Sequence, residues 1–188
     1  EQDPGNAPLA RDLALATLRL GSAYLAAGDG ERAGAALREA IRRFDTLVER
    51  DPGNAELARD ASIALARLAD LDLAIGEIEP AAAAIGRVIA IRERLVAADP
   101  ADSNMARDLA LAHGRLYDVM KARKDGDGMI SSSGASLAIA ERLAAGDPAN
   151  WLWQRDLSVA LIRSGDALRL TGGRKAAQKP YRRALEIR

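Results

Sequence analysis

The feature that most constrains this chain is a short phrase that recurs every 48 residues. An Asp-Pro dipeptide is followed eight residues later by Arg-Asp, and the four copies begin at Asp3, Asp51, Asp99 and Asp147. No insertion or deletion changes the spacing from one copy to the next. A fixed period of roughly 20 to 50 residues is typical of solenoids, in which each repeat is one supersecondary unit that packs on its neighbours. The phrase therefore predicts an array of repeats before any secondary structure is assigned.

Each repeat is predicted to be a pair of α-helices. In the first repeat Gly28-Asp29-Gly30 separates two stretches whose apolar residues recur at helical spacing, and the Asp51-Pro52 dipeptide ends the second stretch. The N-cap positions of the first helices hold a short polar residue in every repeat, namely Asn6, Asn54, Asp102 and Asn150. The predicted helices span residues 6–27, 31–49, 54–75, 79–97, 102–123, 129–145, 150–171 and 174–188. The expected fold class is all-α, with no strand.

Composition limits the core and the partners. Hydrophobic residues make up 48% of the chain but aromatic residues only 3%, so the core is expected to consist largely of Ala, Leu, Ile and Val. The 27 basic residues balance the 27 acidic ones, and no net field favours nucleic acid or an anionic membrane. The absence of cysteine fits a reducing compartment such as the cytoplasm, where we expect the protein to act. No apolar run is long enough to cross a bilayer.

Several positions in the repeat match a known helical repeat. The pattern L-G-x-x-Y…A-x-x-x-F…A of tetratricopeptide (TPR) repeats, with Leu in place of Phe, is matched by Leu20, Gly21, Tyr24, Ala33, Leu37 and Ala40. The repeat therefore resembles a TPR hairpin with longer helices, similar to the repeats of kinesin light chains. The segment Trp153–Val159 also resembles the W-Q-R-D-L-S-V segment of long TPR-like arrays in bacterial proteins.

The resemblance implies a right-handed α-α superhelix, a TPR-like solenoid of four helical hairpins. Residues 1–188 are expected to form one solenoid with repeats at 3–50, 51–98, 99–146 and 147–188, as a piece of a longer array. The third repeat departs from the pattern, with Tyr117 at the packing-glycine position and Ser133 and Ser136 at apolar or small positions. The second repeat has Asp72 where the pattern has Tyr.

The resemblance also implies a partner-binding surface. In TPR domains the concave face is lined by the first helix of each hairpin and binds a protein or peptide segment. The positions at which the repeats differ along that face are the predicted binding residues: Ser22, Leu25, Asp70, Leu73, Asp118, Lys121, Asp166 and Arg169. The three aspartates favour a partner segment with basic residues. They replace the Lys, Asn and Arg of chaperone-binding members, so a carboxylate clamp is not expected.

The arginines of the first helices allow two interpretations. Arg19, Arg67, Arg115 and Arg163 recur with the period of the array, and three of them precede an Asp by three residues, a spacing that permits an ion pair on one helix face. They either line a charged ligand groove or form a salt-bridge ladder that fixes the packing of the hairpins. We favour the ladder, also for the Arg-Asp half of the phrase, because a contact used for packing is expected in every repeat.

Few residues offer catalytic or metal chemistry. Asp125-Gly126-Asp127-Gly128 matches the middle of a calcium loop, but the flanking ligand positions hold Arg123 and Gly134, which favours a helix connection instead. The lone His113 has no second metal-ligating His or Cys and no triad partner. We therefore expect a non-catalytic protein with no cofactor. Of the two tryptophans, Trp153 is expected in the core, and Trp151 is a weaker candidate for partner binding.

A second function remains open at this stage. The array has no polar capping helix at either end, and terminal repeats of solenoids expose an apolar face unless they are capped. The alternative to a peptide-binding scaffold is therefore a structural spacer or oligomerisation module that associates with itself through its terminal repeats.

Overall fold

Within residues 7–187, which a computed structural model describes, the chain forms eight α-helices and no β-strand. The helices are α1 (Ala7–Ala26), α2 (Gly30–Arg50), α3 (Ala55–Ala74), α4 (Ile78–Ala98), α5 (Ser103–Arg123), α6 (Gly126–Gly146), α7 (Trp151–Leu170) and α8 (Arg174–Glu186). Each repeat thus contributes one helical hairpin, from α1–α2 to α7–α8. The all-α class predicted from the sequence is confirmed.

The chain divides into two compact units, one up to Ile91 and the other from Arg92 onward, and the boundary lies within α4. In the first unit α1 packs on α2 and α2 packs on α3, while α1 also touches α3 directly. In the second unit α5, α6, α7 and α8 pack in chain order, and α5 also touches α7. Within each unit the first helices of successive hairpins are therefore neighbours, as in a TPR-like array.

The Asp-Pro phrase ends one helix and is followed by the cap of the next. The backbone N–H of Asp51 donates to the carbonyl of Leu47 at 3.0 Å and marks the end of α2, and Pro52 follows in a turn. Asn54 then accepts a hydrogen bond from the N–H of Leu57 at 3.1 Å and caps α3. The predicted caps Asp102 and Asn150 act in the same way at the start of α5 and α7, whereas Asn6 lies outside the described residues.

The turn inside each hairpin also repeats. Its left-handed residue is Gly28, Gly76 and Gly172 in three hairpins, with φ of 77°, 85° and 93°. In the remaining hairpin the residue at this position is Lys124, with φ of 59°. Glycine adopts this backbone conformation readily, whereas a side chain strains it. The third hairpin therefore makes the same turn with a less suitable residue.

The helix α6 begins earlier than the sequence predicted. We expected a start near residue 129 after a glycine-rich turn, but α6 begins at Gly126. The carboxylate of Asp125 accepts a hydrogen bond from the N–H of Gly128 at 2.9 Å and so caps the first turn. The glycine-rich stretch for which the sequence favoured a helix connection over a calcium loop is thus a capped helix start. The described residues include no group of three acidic, His or Cys side chains placed to hold a metal ion.

Packing inside a hairpin depends on a small residue opposite a large one. In the first hairpin a Cβ at Gly21 would lie 2.9 Å from Cγ of Leu37, so only glycine lets α1 and α2 approach this closely. In the third hairpin the sizes are reversed, because the large Tyr117 is on the first helix and the small Ser133 is on the second. Both are almost fully buried, at 2% and 1% exposure. The departure from the TPR pattern is therefore a compensated exchange of volume.

Candidate partner-binding face

The predicted binding residues of the first unit lie on the adjoining helices α1 and α3. Ser22 and Leu25 are half-buried on α1, and the hydroxyl of Ser22 donates to the carbonyl of Leu18 at 2.9 Å. On α3, Leu73 is half-buried and Asp70 is exposed. Asp70 also has a polar interaction with another group, so it is not without a partner. These four positions therefore offer a surface of mixed polarity.

In the second unit the first predicted aspartate is paired with an arginine of the next hairpin. Nη2 of Arg163 on α7 donates to Oδ2 of Asp118 on α5 at 2.9 Å. The i,i+3 pairing of Arg163 with Asp166 that the sequence suggested is therefore replaced by a contact between hairpins. Lys121, one turn further along α5, is exposed.

The second predicted aspartate bonds to a tyrosine that sequence reasoning missed. The hydroxyl of Tyr181 on α8 donates to Oδ1 of Asp166 at 2.7 Å, and Nη2 of Arg169 reaches the same oxygen at 3.4 Å. Gly165 makes room for the tyrosine ring, since a Cβ there would lie 2.6 Å from Cε1 of Tyr181. The available signal was the glycine at the TPR packing position, which Tyr181 faces from the position of Leu37.

A buried hydroxyl lies near this polar cluster. Tyr117 is 2% exposed, and among the residues between 7 and 187 its hydroxyl finds no hydrogen-bond partner. Burial raises the pKa of Tyr117, and the negative charges of Asp166 and Asp118 add to the rise while Arg163 opposes it. The tyrosine hydroxyl therefore stays protonated close to two aspartates that are already paired.

An apolar side chain is exposed on α7 where other hairpins bury theirs. Ile162 is 44% exposed, whereas the residues at the same repeat position include Leu18 at 6% and Ala66 at 4%. Ile162 precedes Asp166 and Arg169 by four and seven residues, so the three lie on one helix face. A large apolar side chain thus projects beside the charged residues of the candidate face.

A shallow cleft lies beside this surface, between α5, α6 and α7. Its volume is about 390 Å³ including the solvent at its mouth, and its lining includes Val159, Ala140 and Trp153. Ala140 is at the repeat position of Phe44, which is fully buried in α2. The cleft therefore lies where a methyl group replaces a phenyl ring.

The Arg-Asp half of the phrase forms ion pairs between successive hairpins. Nη2 of Arg11 on α1 donates to Oδ2 of Asp60 on α3 at 2.9 Å. In the second unit Nε of Arg107 on α5 donates to Oδ2 of Asp156 on α7 at 2.5 Å. The partners are 49 residues apart in both pairs. Within each unit this Arg–Asp ladder confirms the structural interpretation of the repeated charges.

A second ladder connects the second helices and was not predicted. Nη2 of Arg87 on α4 donates to Oδ1 of Asp45 on α2 at 2.8 Å, and Nη1 of Arg183 on α8 donates to Oε1 of Glu141 on α6 at 2.6 Å. Both pairs are 42 residues apart. The signal in the sequence was weak, because the arginine position of this ladder holds Glu39 and Ala135 in the other two repeats.

Comparison with known proteins gives likenesses of structure. The fold is similar to the crystal structure of BtubC (BKLC) from P. vanneervenii, with a TM-score of 0.58 and 18% identity over 96% of this chain and 86% of that chain. A weaker likeness is to TTC0263, a thermophilic TPR protein in Thermus thermophilus (TM-score 0.41, 22% identity, 93% of this chain and 74% of that chain). Another is to the TPR-like repeats of a putative kinesin light chain from Podosopora anserina (TM-score 0.43, 14% identity, 95% of both chains).

No protein-family model matches the sequence, and no curated protein matches it. None of the helices described is both long and apolar enough to cross a membrane. Gly21 and Leu37, which match the TPR pattern, pack against each other. Within each unit the helices pack in chain order, as the pattern predicts. Together with the likeness of fold to BtubC, these contacts describe an all-α array of TPR-like helical hairpins.

Proposed function

We propose that the protein is a non-catalytic scaffold that binds a segment of another protein on the face formed by the first helices of its hairpins. Support comes from the fold and from the distribution of differences among the repeats. Arg11, Asp12 and their counterparts are identical in all four repeats. The position of Leu25, Leu73, Lys121 and Arg169 changes from apolar to basic, and Ser22 stands where the other three repeats have aspartate. A surface that varies on a constant framework is where specificity for a partner is expected.

The exposure of Ile162 carries the proposal. Apolar side chains that anchor a partner are found near the centre of an interface, surrounded by polar groups that exclude water. Ile162 has this setting, with Asp166 and Arg169 on its own helix face and the cleft beside Val159 nearby. We expect the partner to place an apolar side chain against Ile162.

The charges of the face then determine the orientation of the partner. A basic residue of the partner would compete with Arg163 for Asp118, or with Arg169 and Tyr181 for Asp166. Exchanging one ion pair for another contributes little net affinity but selects the direction in which a segment binds. A partner with Lys or Arg flanking an apolar residue therefore fits the face best.

The test is selection of binding peptides from a random display library on the immobilised protein, followed by affinity measurements with two variants. Ile162→Glu is expected to weaken the selected peptides by roughly tenfold or more. Ile130→Glu is the matched control, because Ile130 is 42% exposed and lies on the second helix α6 of the same unit. Equal binding to both variants, or a library that yields no peptide, would contradict the proposal.

Charge reversal tests the preference for basic partners. The triple variant Asp70→Lys, Asp118→Lys and Asp166→Lys is expected to lose peptides that contain Lys or Arg and to favour acidic ones. Circular dichroism is needed as a control, because reversal also breaks the contacts of Asp118 and Asp166 with Arg163 and Tyr181. Unchanged affinity for basic peptides in a folded variant would refute this preference.

A second candidate function is a structural module that associates with itself through its terminal repeats. One observation favours it: Leu9, Leu13 and Leu20 on α1 are all exposed. An apolar face of this kind is unusual on a monomeric surface. The two functions use different surfaces, so they are compatible.

A further inference from the structure

The cleft between α5, α6 and α7 lies at a repeat position that other hairpins fill with a large side chain. Its lining includes Ala140 of α6, and the same position holds Phe44 in α2 and Arg92 in α4. Phe44 is fully buried, and the buried Arg92 donates from Nη1 to the carbonyl of Asp108. Among residues 7–187, Ala140 is therefore the one small side chain at this position.

The frame around the cleft is retained from the first unit. Most of its lining residues are identical to those at the same positions of the first two hairpins. The ion pair of Arg107 with Asp156 at its edge has the same partners as the pair of Arg11 with Asp60. The exchange of phenylalanine for Ala140 thus removes a phenyl ring from surroundings that otherwise stay similar.

The inner lining of the cleft is apolar. Ala110, Ala140, Leu143 and Ala160 are all buried and turn aliphatic side chains toward it. The one buried polar side chain in the lining is Ser136, whose hydroxyl donates to the carbonyl of Ala110 at 2.9 Å. An apolar space of this kind holds water poorly and accepts apolar or aromatic groups.

The charged side chains at the edge of the cleft already have partners on the neighbouring helix. Arg107 pairs with Asp156, and Arg163 pairs with Asp118. A charged group that entered the cleft would lose water without gaining a free counter-charge, whereas a neutral group loses little. The cleft therefore favours a neutral occupant.

Trp153 makes an aromatic ring the most suitable neutral occupant. Its half-buried indole lines the cleft where the first unit has Leu57. Aromatic rings that pack offset or edge to face stabilise each other beyond the area they bury. The volume of about 390 Å³, which includes the mouth, leaves space for a ring beside the indole. A phenyl ring is also the group that Phe44, the only phenylalanine of the chain, places at this position of the repeat.

We propose that the cleft is a binding site for a phenyl ring, supplied by a phenylalanine of the partner segment. Val159 lines the cleft, is 37% exposed and precedes Ile162 by three residues on α7. One segment can therefore place a phenylalanine in the cleft and a second apolar side chain against Ile162. This inference rests on the proposed function and names a residue type that the partner carries.

The first test uses the ring without a peptide. N-acetyl-phenylalaninamide is titrated into the 188-residue protein, and N-acetyl-alaninamide is the matched compound without the ring. The NMR signal of the Trp153 indole N–H is expected to shift to saturation, with a dissociation constant of about 1 mM. Trp151, the other tryptophan, is 71% exposed, and its signal is the internal control. A Trp153 signal that stays in place, or that moves equally with the alanine compound, would overturn the proposal.

A variant that fills the cleft tests where the ring binds. Ala140→Phe gives α6 the side chain that α2 has at the same position and is expected to weaken the phenylalanine compound by roughly tenfold or more. Ala138→Phe adds the same ring at an exposed position of α6 outside the lining and is expected to bind like the unmodified protein. Circular dichroism checks folding, and Ala140→Leu replaces the first variant if the larger side chain prevents it. Unchanged binding to a folded variant with a filled cleft would overturn the proposal.

Peptides from the display selection separate this inference from the proposed function. The selected peptides are expected to contain phenylalanine and to lose roughly tenfold in affinity when it is replaced by alanine. Peptides that bind without an aromatic residue, together with an unchanged Trp153 signal, would overturn the phenyl site and leave the proposed function in place. Saturation of the Trp153 signal with a library that yields no peptide would support the phenyl site and contradict the proposed function.

Discussion

The left-handed turn residue of the third hairpin is a lysine, although the other described hairpins have glycine there. Lys124 has φ of 59°, and the carbonyls of Lys121 and Met120 accept from its backbone N–H. We expect Lys124→Gly to raise the free energy of unfolding by about 1 kcal/mol, because a side chain in this conformation is strained. Urea unfolding followed by circular dichroism measures the change.

Gly76 provides the matched control at the same position of the second hairpin. Its φ is 85°, and nothing lies within 4 Å of the position that a Cβ would take. Gly76→Ala is therefore expected to lower stability by a similar amount through backbone strain alone. If both substitutions left stability unchanged, the turn would not be strained by its side chain.

A buried carboxylate predicts an unusual dependence of stability on pH. The side chain of Asp72 is 5% exposed, and its nearest cation, Nη2 of Arg38, lies 3.8 Å away. Burial raises the pKa of Asp72; Arg38 opposes the rise and Glu77 adds to it. The folded state therefore holds this proton more tightly than the unfolded chain does.

The sign of the effect follows from that difference. Because the native state binds more protons, stability is greater below the ordinary aspartate pKa and falls as the pH rises through the raised value. We expect Asp72→Asn to remove this fall and to be more stable than the parent at neutral pH by about 1 kcal/mol. Urea unfolding of both proteins at several pH values checks this prediction. Glu49→Gln removes a carboxylate at an exposed position and is the control. If the stability of the unmodified protein rose as the pH increased from the ordinary aspartate pKa to the raised one, the fall could not be assigned to Asp72.

At the scale of the helices, each hairpin depends on the fit between one small and one large side chain. Gly165→Ala is expected to lower the free energy of unfolding by about 1 to 3 kcal/mol, because the new methyl group overlaps the ring of Tyr181. It should also displace the tyrosine hydroxyl from Asp166. Thermal unfolding reports the first effect, and the NMR signals of the Tyr181 ring report the second.

Gly134 is the control for the effect of alanine in a helix. It lies within α6, and nothing is within 4 Å of its would-be Cβ. Gly134→Ala is expected to raise stability by up to about 1 kcal/mol, since alanine favours helix more than glycine does. Destabilisation of both variants by equal amounts would mean that the contact with Tyr181 is not responsible.

The helices themselves were predictable because their signals are local. Asn54 and Asn150 cap helices and Asp51 ends one where the sequence predicted. The start of α6 was misplaced because glycines at 126 and 128 indicate a turn by propensity, whereas the Asp125 cap offsets that preference. Tyr117 and Ser133 depart from the repeat pattern one position at a time, and an exchange of volume between two helices cannot be recognised from either position alone.

At the scale of the molecule, the 48-residue period predicted the repeat architecture. The spacing of Arg and Asp along the first helices did not determine which of them form ion pairs. Arg163 has Asp166 three residues away in the chain but binds Asp118, which is 45 residues away. A helix brings i,i+3 residues near each other in any context, whereas a contact between hairpins depends on how their helices stack. For the same reason the repeat pattern places Tyr181 opposite Gly165 but does not show that its hydroxyl donates to Asp166.

The central claim is that the repeated Arg and Asp join successive hairpins within each unit, and one double-mutant cycle tests it most directly. The side chains of Arg107 and Asp156 are 24% and 14% exposed, so their ion pair is partly shielded from solvent. Stability is measured by urea unfolding for the parent, Arg107→Asp, Asp156→Arg and the double exchange. We predict that each single variant is destabilised and that the double exchange recovers about 1 kcal/mol relative to the sum of the two losses. Losses that simply add would contradict the ladder.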